Sequence, residues 1–155
     1  MSAIEARRRT RERLGSDGSY AGDVTPAEAW EILEGEADAI LIDVRTDAEW
    51  NYVGVPNLSS LGKKPALIAW QIFPTGALNP RFVDDVAKLG IRKDATVLLL
   101  CRTGGRSKAA AQALTAAGFS ASYNVLDGFE GGHDANQHRG TRAGWKAVGL
   151  PWGQG

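Results

Sequence analysis

The chain has one cysteine, one methionine and two histidines among its 155 residues. A lone thiol cannot close an internal disulfide, which fits a reducing compartment. Two histidines with no cysteine nearby make a poor metal site, so His133 and His138, which flank Asp134, read as loop residues; no metal and no organic cofactor is expected. Net charge is also missing. Lysine plus arginine numbers 18 and aspartate plus glutamate 18, so no overall field selects nucleic acid or an anionic membrane. Long apolar runs are absent: ALIAW at 66–70 and VLLLC at 97–101 are far too short to span a bilayer, and no secretory hydrophobic region follows the basic start. Together these absences lead us to expect a soluble, cytoplasmic protein with neither nucleic acid nor membrane as partner. The length suits one domain with a proper core.

The chain does carry alternating helix and strand signals. Residues 1–19 are charge-dense, with Arg7, Arg8, Arg9, Arg11 and Arg13 diluted by Glu5 and Glu12, and they end in a run of glycine and serine. They read as a flexible basic arm ahead of a domain over 20–155. Thr25-Pro26-Ala27-Glu28 and Thr46-Asp47-Ala48-Glu49 are capping boxes, which predict helices from Pro26 to Glu34 and from Thr46 onward. AILIDV at 39–44 and ATVLLL at 95–100 are aliphatic on both faces, as strands covered on both sides are. SASYNVL at 120–126 predicts a further strand. Asn79-Pro80 opens a helix closed by Gly90, with Phe82, Val83, Val86 and Leu89 on one face. SKAAAQALTAAG at 107–118 predicts a strong helix, and 143–150 a short last one. Between 53 and 79, glycines and prolines predict loops, with one short strand near Asn57–Ser59. The alternation implies an α/β fold whose central five-stranded sheet is mostly parallel, with helices on both faces.

In such a sheet ligands sit beyond the carboxyl ends of the strands, and Cys101 stands at the end of ATVLLL. The turn after it holds Arg102, Thr103, Gly104, Gly105 and Arg106. Two glycines without side chains let the amides of 102–106 converge on one centre. The free amides and dipole of the following helix favour an anion there, and the two arginines add formal charge. The first anion favoured is the cysteine's own thiolate, because a helix N-terminus with neighbouring cations lowers a thiol from about 8.5.

Cys101-Arg102-Thr103-Gly104-Gly105-Arg106-Ser107 resembles the active-site loop of the rhodanese-type sulfurtransferases, Cys-Arg-x-Gly-x-Arg-Ser. LIDVR at 41–45 with Glu49-Trp50, NVLDGFEGG at 124–132 and GWKAVGLP at 144–151 resemble other segments of that family, so the likeness covers roughly 20–152. Two stretches depart from it. Gly54-Val55-Pro56-Asn57 stands where the family carries Gly-His-Ile-Pro-Gly-Ala, and 134–142 reads as an extra loop. The resemblance implies a rhodanese-like domain. In it Cys101 is the catalytic nucleophile, which takes a sulfane sulfur from a small anionic donor such as thiosulfate and passes it as a persulfide to a thiol, possibly on a protein, or to cyanide. Arg102, Thr103, Gly104, Gly105 and Arg106 bind the donor.

Two rival sites share a cysteine loop or its fold. Tyrosine phosphatases space cysteine and arginine by five residues, whereas four separate Cys101 from Arg106, a tighter ring better matched to sulfur than to phosphate; no second cysteine exists to resolve an arsenate adduct. A non-catalytic rhodanese-like module usually lacks the cysteine. Among other residues, Asp43 and Arg45 read as structural, Glu49 as either a helix cap or a partner of a loop arginine, and Trp70, Phe73, Phe129 and Trp145 as core more than pocket wall. Trp152 reads as a docking residue or an end anchor.

Overall fold

A computed structural model describes residues 19–72, 75–132, 135–140 and 143–153. Apart from Ser19, the expected basic arm lies outside them.

The chain runs β1 (Gly22–Val24), α1 (Pro26–Gly35), β2 (Ile40–Asp43), α2 (Asp47–Tyr52), β3 (Val55–Pro56), a 3₁₀ turn (Ser59–Leu61), β4 (Ala66–Leu67), β5 (Gln71–Ile72), β6 (Ala77–Leu78), α3 (Phe82–Ala87), β7 (Val97–Leu100), α4 (Gly105–Ala116), β8 (Ser122–Val125) and β9 (Trp152–Gly153). Five strands form one sheet in the order β1-β8-β7-β2-β4, and every pairing within it is parallel.

Both capping boxes are made. Thr25 accepts from the Glu28 amide while Glu28 reaches back to the Thr25 amide, and Thr46 and Glu49 do the same for α2. Each reciprocal pair satisfies two amides that a helix start leaves without partners.

Strand alternation divides the core in two. Leu98 and Leu100 of β7 join Tyr123, Val125 and Leu41 beneath α1. Val97, Leu99 and Cys101 face the other way, toward α3 and α4, with Ala110, Ala111, Leu114 and Phe82. Because side chains in a strand point alternately to opposite faces, the position of Cys101 one residue past Leu100 puts its sulfur on the α4 side.

Four expectations change. The segment from 53 to 79 holds four two-residue strands rather than one near Asn57–Ser59, and β4 forms an edge of the main sheet; pairs this short leave no periodic signal. The opening strand β1, also unread, pairs with β8. Asn79 accepts from the Arg81 amide at 3.0 Å, which closes a turn ahead of α3. That helix ends at Ala87, so Leu89 falls beyond it and is 42% exposed. The last helix expected over 143–150 is a run of turns. Gly144 and Gly149 take φ of +95° and +81°, outside the right-handed helical region, and the amides of Trp145 and Lys146 between them bond the carbonyls of Gly128 and Phe129 at 2.9 and 3.1 Å.

Candidate active site

Cys101 follows β7 directly, and α4 begins four residues later at Gly105, two residues ahead of the expected start. The reversal between them needs Gly104, whose φ of +114° is a conformation L side chains rarely adopt. Gly104 then donates its amide to Cys101 Sγ at 3.0 Å. Of the five amides expected to converge there, this is the one that reaches the sulfur in hydrogen-bond geometry.

Ser107, in the first turn of α4, lies 3.2 Å from the same sulfur. Cys101 is only 1% exposed, so the thiol lies at the floor of the loop with its hydrogen-bond partners around it. Arg102, Thr103 and Gly105 are exposed above it. Cavities of about 280 Å3 beside Asp38 and Arg92 and about 360 Å3 between Val55 and Pro65 do not touch it.

A second loop holds the first from behind. The amide of Phe129 donates to Cys101 O at 2.8 Å, and those of Glu130 and Gly131 donate to Arg102 O at 3.0 and 3.1 Å. Gly128 makes this approach possible: a Cβ there would lie 2.3 Å from Cys101 O and 2.6 Å from the carbonyl carbon of Arg102. The resemblance of 124–132 to a family segment thus corresponds to a backbone contact with the cysteine loop.

Arg106 does not stand free. Its two terminal nitrogens hold the Glu49 carboxylate at 2.7 and 2.9 Å, with both side chains about a fifth exposed. Glu49 therefore fills both roles left open for it, closing the α2 capping box and pairing with a loop arginine. Burial by itself would raise the Glu49 carboxyl, but the hydrogen bond and charge of Arg106 outweigh it and hold the group below its ordinary value. Arg106 is pushed up in turn, first by its hydrogen bond to Glu49, against burial, with the Glu49 and Cys101 charges adding to it.

Asp43 and Arg45 form a fully buried pair. Arg45 Nε and Nη2 donate to the carboxylate at 2.9 and 2.7 Å, and Nη2 also reaches Gly54 O at 2.6 Å. The guanidinium stacks 4.2 Å above the Phe129 ring, which accounts for an Nη1 without a hydrogen-bond partner among the described residues. This pair ties the end of β2 to the turn after α2 and to the backing loop.

Phe129 and Trp145 are fully buried core residues. Trp70 packs edge-on against Phe82 at 5.2 Å, and Phe73 lies outside the described residues. Trp152 anchors the chain end. Its strand pairs with β3, its ring meets Phe129 edge-on at 6.1 Å, and Lys146 sits 3.9 Å above it. His133 and Asp134 lie outside the described residues, and His138 is exposed.

Sequence reasoning quoted Ser107 in the motif but gave it no role, and missed Asn124 and Asp23 beneath the sulfur. Ser107 Oγ is 2.5 Å from Asn124 Oδ1, and Asn124 Nδ2 donates to Asp23 Oδ1 at 3.0 Å. The available signal was SYNV itself, with serine and asparagine at alternate positions of a strand buried throughout, where an apolar residue is the usual occupant.

Residues 21–155 match a family model described as the STR4 middle domain. The crystal structure of Rv0390 from M. tuberculosis is similar with a TM-score of 0.81 and 50% identity, over 88% of this chain and 99% of that one. An uncharacterized protein of Rickettsia rickettsii, an RP600 homolog, is 36% identical over 131 residues, which are 84% of this chain and 95% of the relative. The chloroplastic protein Thylakoid rhodanese-like of Oryza sativa subsp. indica is 30% identical over 143 residues, 90% of this chain but 26% of that longer protein.

Proposed function

The chain belongs to the STR4 middle-domain family of rhodanese-like proteins, and from that premise we propose that it is a sulfurtransferase working through a persulfide on Cys101. The observation that carries this reading is the Gly104 amide aimed at Sγ from 3.0 Å at the head of a 12-residue helix, a setting that stabilises negative charge on sulfur.

In the first half-reaction the Cys101 thiolate attacks the outer sulfur of a small anionic donor, with thiosulfate as the model. The Sγ–S bond forms, the donor's S–S bond breaks, and sulfite leaves with the electron pair. Arg102, exposed at the mouth, meets the departing oxyanion, and the Gly104 amide steadies charge on the new persulfide. In the second, an acceptor thiolate or cyanide attacks the terminal sulfur, and Cys101 thiolate is the leaving group. Burial of Sγ favours a donor whose transferable sulfur is terminal and unbranched. No metal or organic cofactor enters either step. Incubation with thiosulfate followed by intact-mass measurement is expected to show a gain of one sulfur atom that cyanide reverses. Hydrolysis of an aryl phosphate without any sulfur adduct would instead favour a phosphatase, and neither result a binding module.

The Glu49–Arg106 pair gives this reading a graded test. Glu49 already compensates the charge that an anionic donor would use. Glu49→Gln is therefore expected to raise kcat/KM for thiosulfate by about tenfold, the equivalent of one charge-assisted contact. Arg106→Ala should lower turnover more than it lowers the melting temperature.

The same pair also contributes to stability. A carboxyl depressed on folding stabilises the native state above its ordinary value of 4.5, and that contribution disappears as pH falls through the lower folded value. At pH 7 the unaltered protein should exceed Glu49→Gln by about 1 kcal/mol. Thermal melts should show the gap closing below the ordinary carboxylate range; a gap that widens there would contradict the assignment.

A further inference from the structure

Asp23 and Asn124 sit side by side in the parallel register of β1 and β8. Val24 and Val125 face the α1 layer, so alternation points both polar residues at the α4 face, the side on which Cys101 lies.

The hydrogen-bond chain among them has a fixed direction. Asp23 Oδ1 accepts from both Tyr20 Oη at 2.9 Å and Asn124 Nδ2 at 3.0 Å. A carboxylate offers only lone pairs, so the amide must turn its NH2 toward Asp23 and its carbonyl oxygen toward Ser107. That oxygen is 2.5 Å from Ser107 Oγ, a distance that requires a proton between the two, and the one hydroxyl proton of Ser107 supplies it. Ser107 then has only lone pairs left for Cys101 Sγ at 3.2 Å. A thiol satisfies this arrangement by donating S–H to Oγ. A thiolate does not, unless the hydroxyl swings to the sulfur and strips the Asn124 oxygen of its donor.

We infer that Asp23 and Asn124 are positioning residues that act through Ser107 to hold the resting Cys101 as a thiol. The inference rests on the proposed role of Cys101 as nucleophile. The chain works against the Gly104 amide and the Arg106 charge, and it keeps the protein's sole thiol from standing ionised when no donor is present. Ionisation then requires one concerted rearrangement, in which the Ser107 hydroxyl rotates toward sulfur as the proton departs to solvent.

The other groups around the sulfur are Arg106 on α4, compensated by Glu49 on α2 and near Asp43 of β2, and the exposed Arg102. All remain in place in the variants below.

The test uses the full chain labelled with 13Cβ-cysteine. With one cysteine present, a single resonance reports thiol and thiolate directly, without a sulfur donor. Asn124→Leu removes the acceptor and frees the Ser107 proton for sulfur. Its titration midpoint is expected to fall below that of the unaltered protein, with roughly tenfold more thiolate at any pH below both midpoints, as one hydrogen bond to a charged group gives. Asp23→Ala unpins the Asn124 amide while leaving it in the strand, so the midpoint should move in the same direction; this variant carries the test if Asn124→Leu does not fold. With alanine at 107 there is no hydroxyl to redirect, and Ser107→Ala and Ser107→Ala/Asn124→Leu should share one midpoint. Unchanged or raised midpoints in both Asn124→Leu and Asp23→Ala, or a shift that survives with alanine at 107, would overturn the inference. Because this readout needs no sulfur transfer and the mass measurement needs no titration, each proposal can fail without the other.

Discussion

Cys101→Ser is expected to yield a folded protein that gains no sulfur from thiosulfate under conditions in which the unaltered chain gains one atom. The loss should be complete, because the chain has no second thiol to take the adduct. Serine preserves the local geometry. Its smaller oxygen still accepts from the Gly104 amide, which reaches sulfur at 3.0 Å, and remains beside Ser107, so the fold should lose no more than about 1–2 kcal/mol. The chemistry does not survive. A hydroxyl needs an adjacent general base to become a nucleophile, and the neighbouring Ser107 provides none. Intact mass with and without cyanide, alongside a thermal melt, separates lost chemistry from lost folding. A sulfur adduct that persists in Cys101→Ser would remove Cys101 from the mechanism.

Arg45→Met is expected to produce the largest fall in stability of any single change considered. Asp43 and Arg45 are both fully buried and joined by three side-chain hydrogen bonds. Removing the guanidinium leaves a carboxylate in the core without its partner, which costs about 3–5 kcal/mol. For a chain of this size that corresponds to a melting temperature lower by roughly 10 °C. Gly54 O loses its donor, Phe129 loses its stacked cation, and α2 loses an anchor, so Glu49 and with it Arg106 should shift. Asp43→Leu/Arg45→Met, which removes both charges, should recover much of the stability, since a buried pair replaced by apolar groups is often neutral. A loss below about 1 kcal/mol for the single variant would show that water reaches Asp43, contrary to its burial.

The elements that could be read from sequence are those governed by local chemistry. The capping boxes at Thr25 and Thr46 require only residues three apart. The strands over 40–43 and 97–100 are marked by aliphatic residues on both faces, and the helix after the cysteine by alanine and glutamine with Gly118 behind it. The shifted start of α4 at Gly105 follows from a turn at Gly104 that spacing alone does not reveal. The expected helix over 143–150 fails for a related reason: Gly144 and Gly149 turn the chain with φ of +95° and +81°, and the residues between them are drawn to the carbonyls of the 128–129 turn, so tertiary contacts override propensity.

The sequence by itself determined the α/β alternation, the lone cysteine at a strand end and the glycine–arginine loop around it, because these depend on residue type and short-range spacing. Only the tertiary structure decided what occupies those groups. Arg106 is held by Glu49 from a different helix, the Ser107 proton by Asn124 from a neighbouring strand, and the loop backbone by amides past Gly128. Each of these contacts joins residues far apart in the chain, whose proximity arises from the parallel register and from burial that leaves polar atoms no water to bond, so that each must find its partner within the protein.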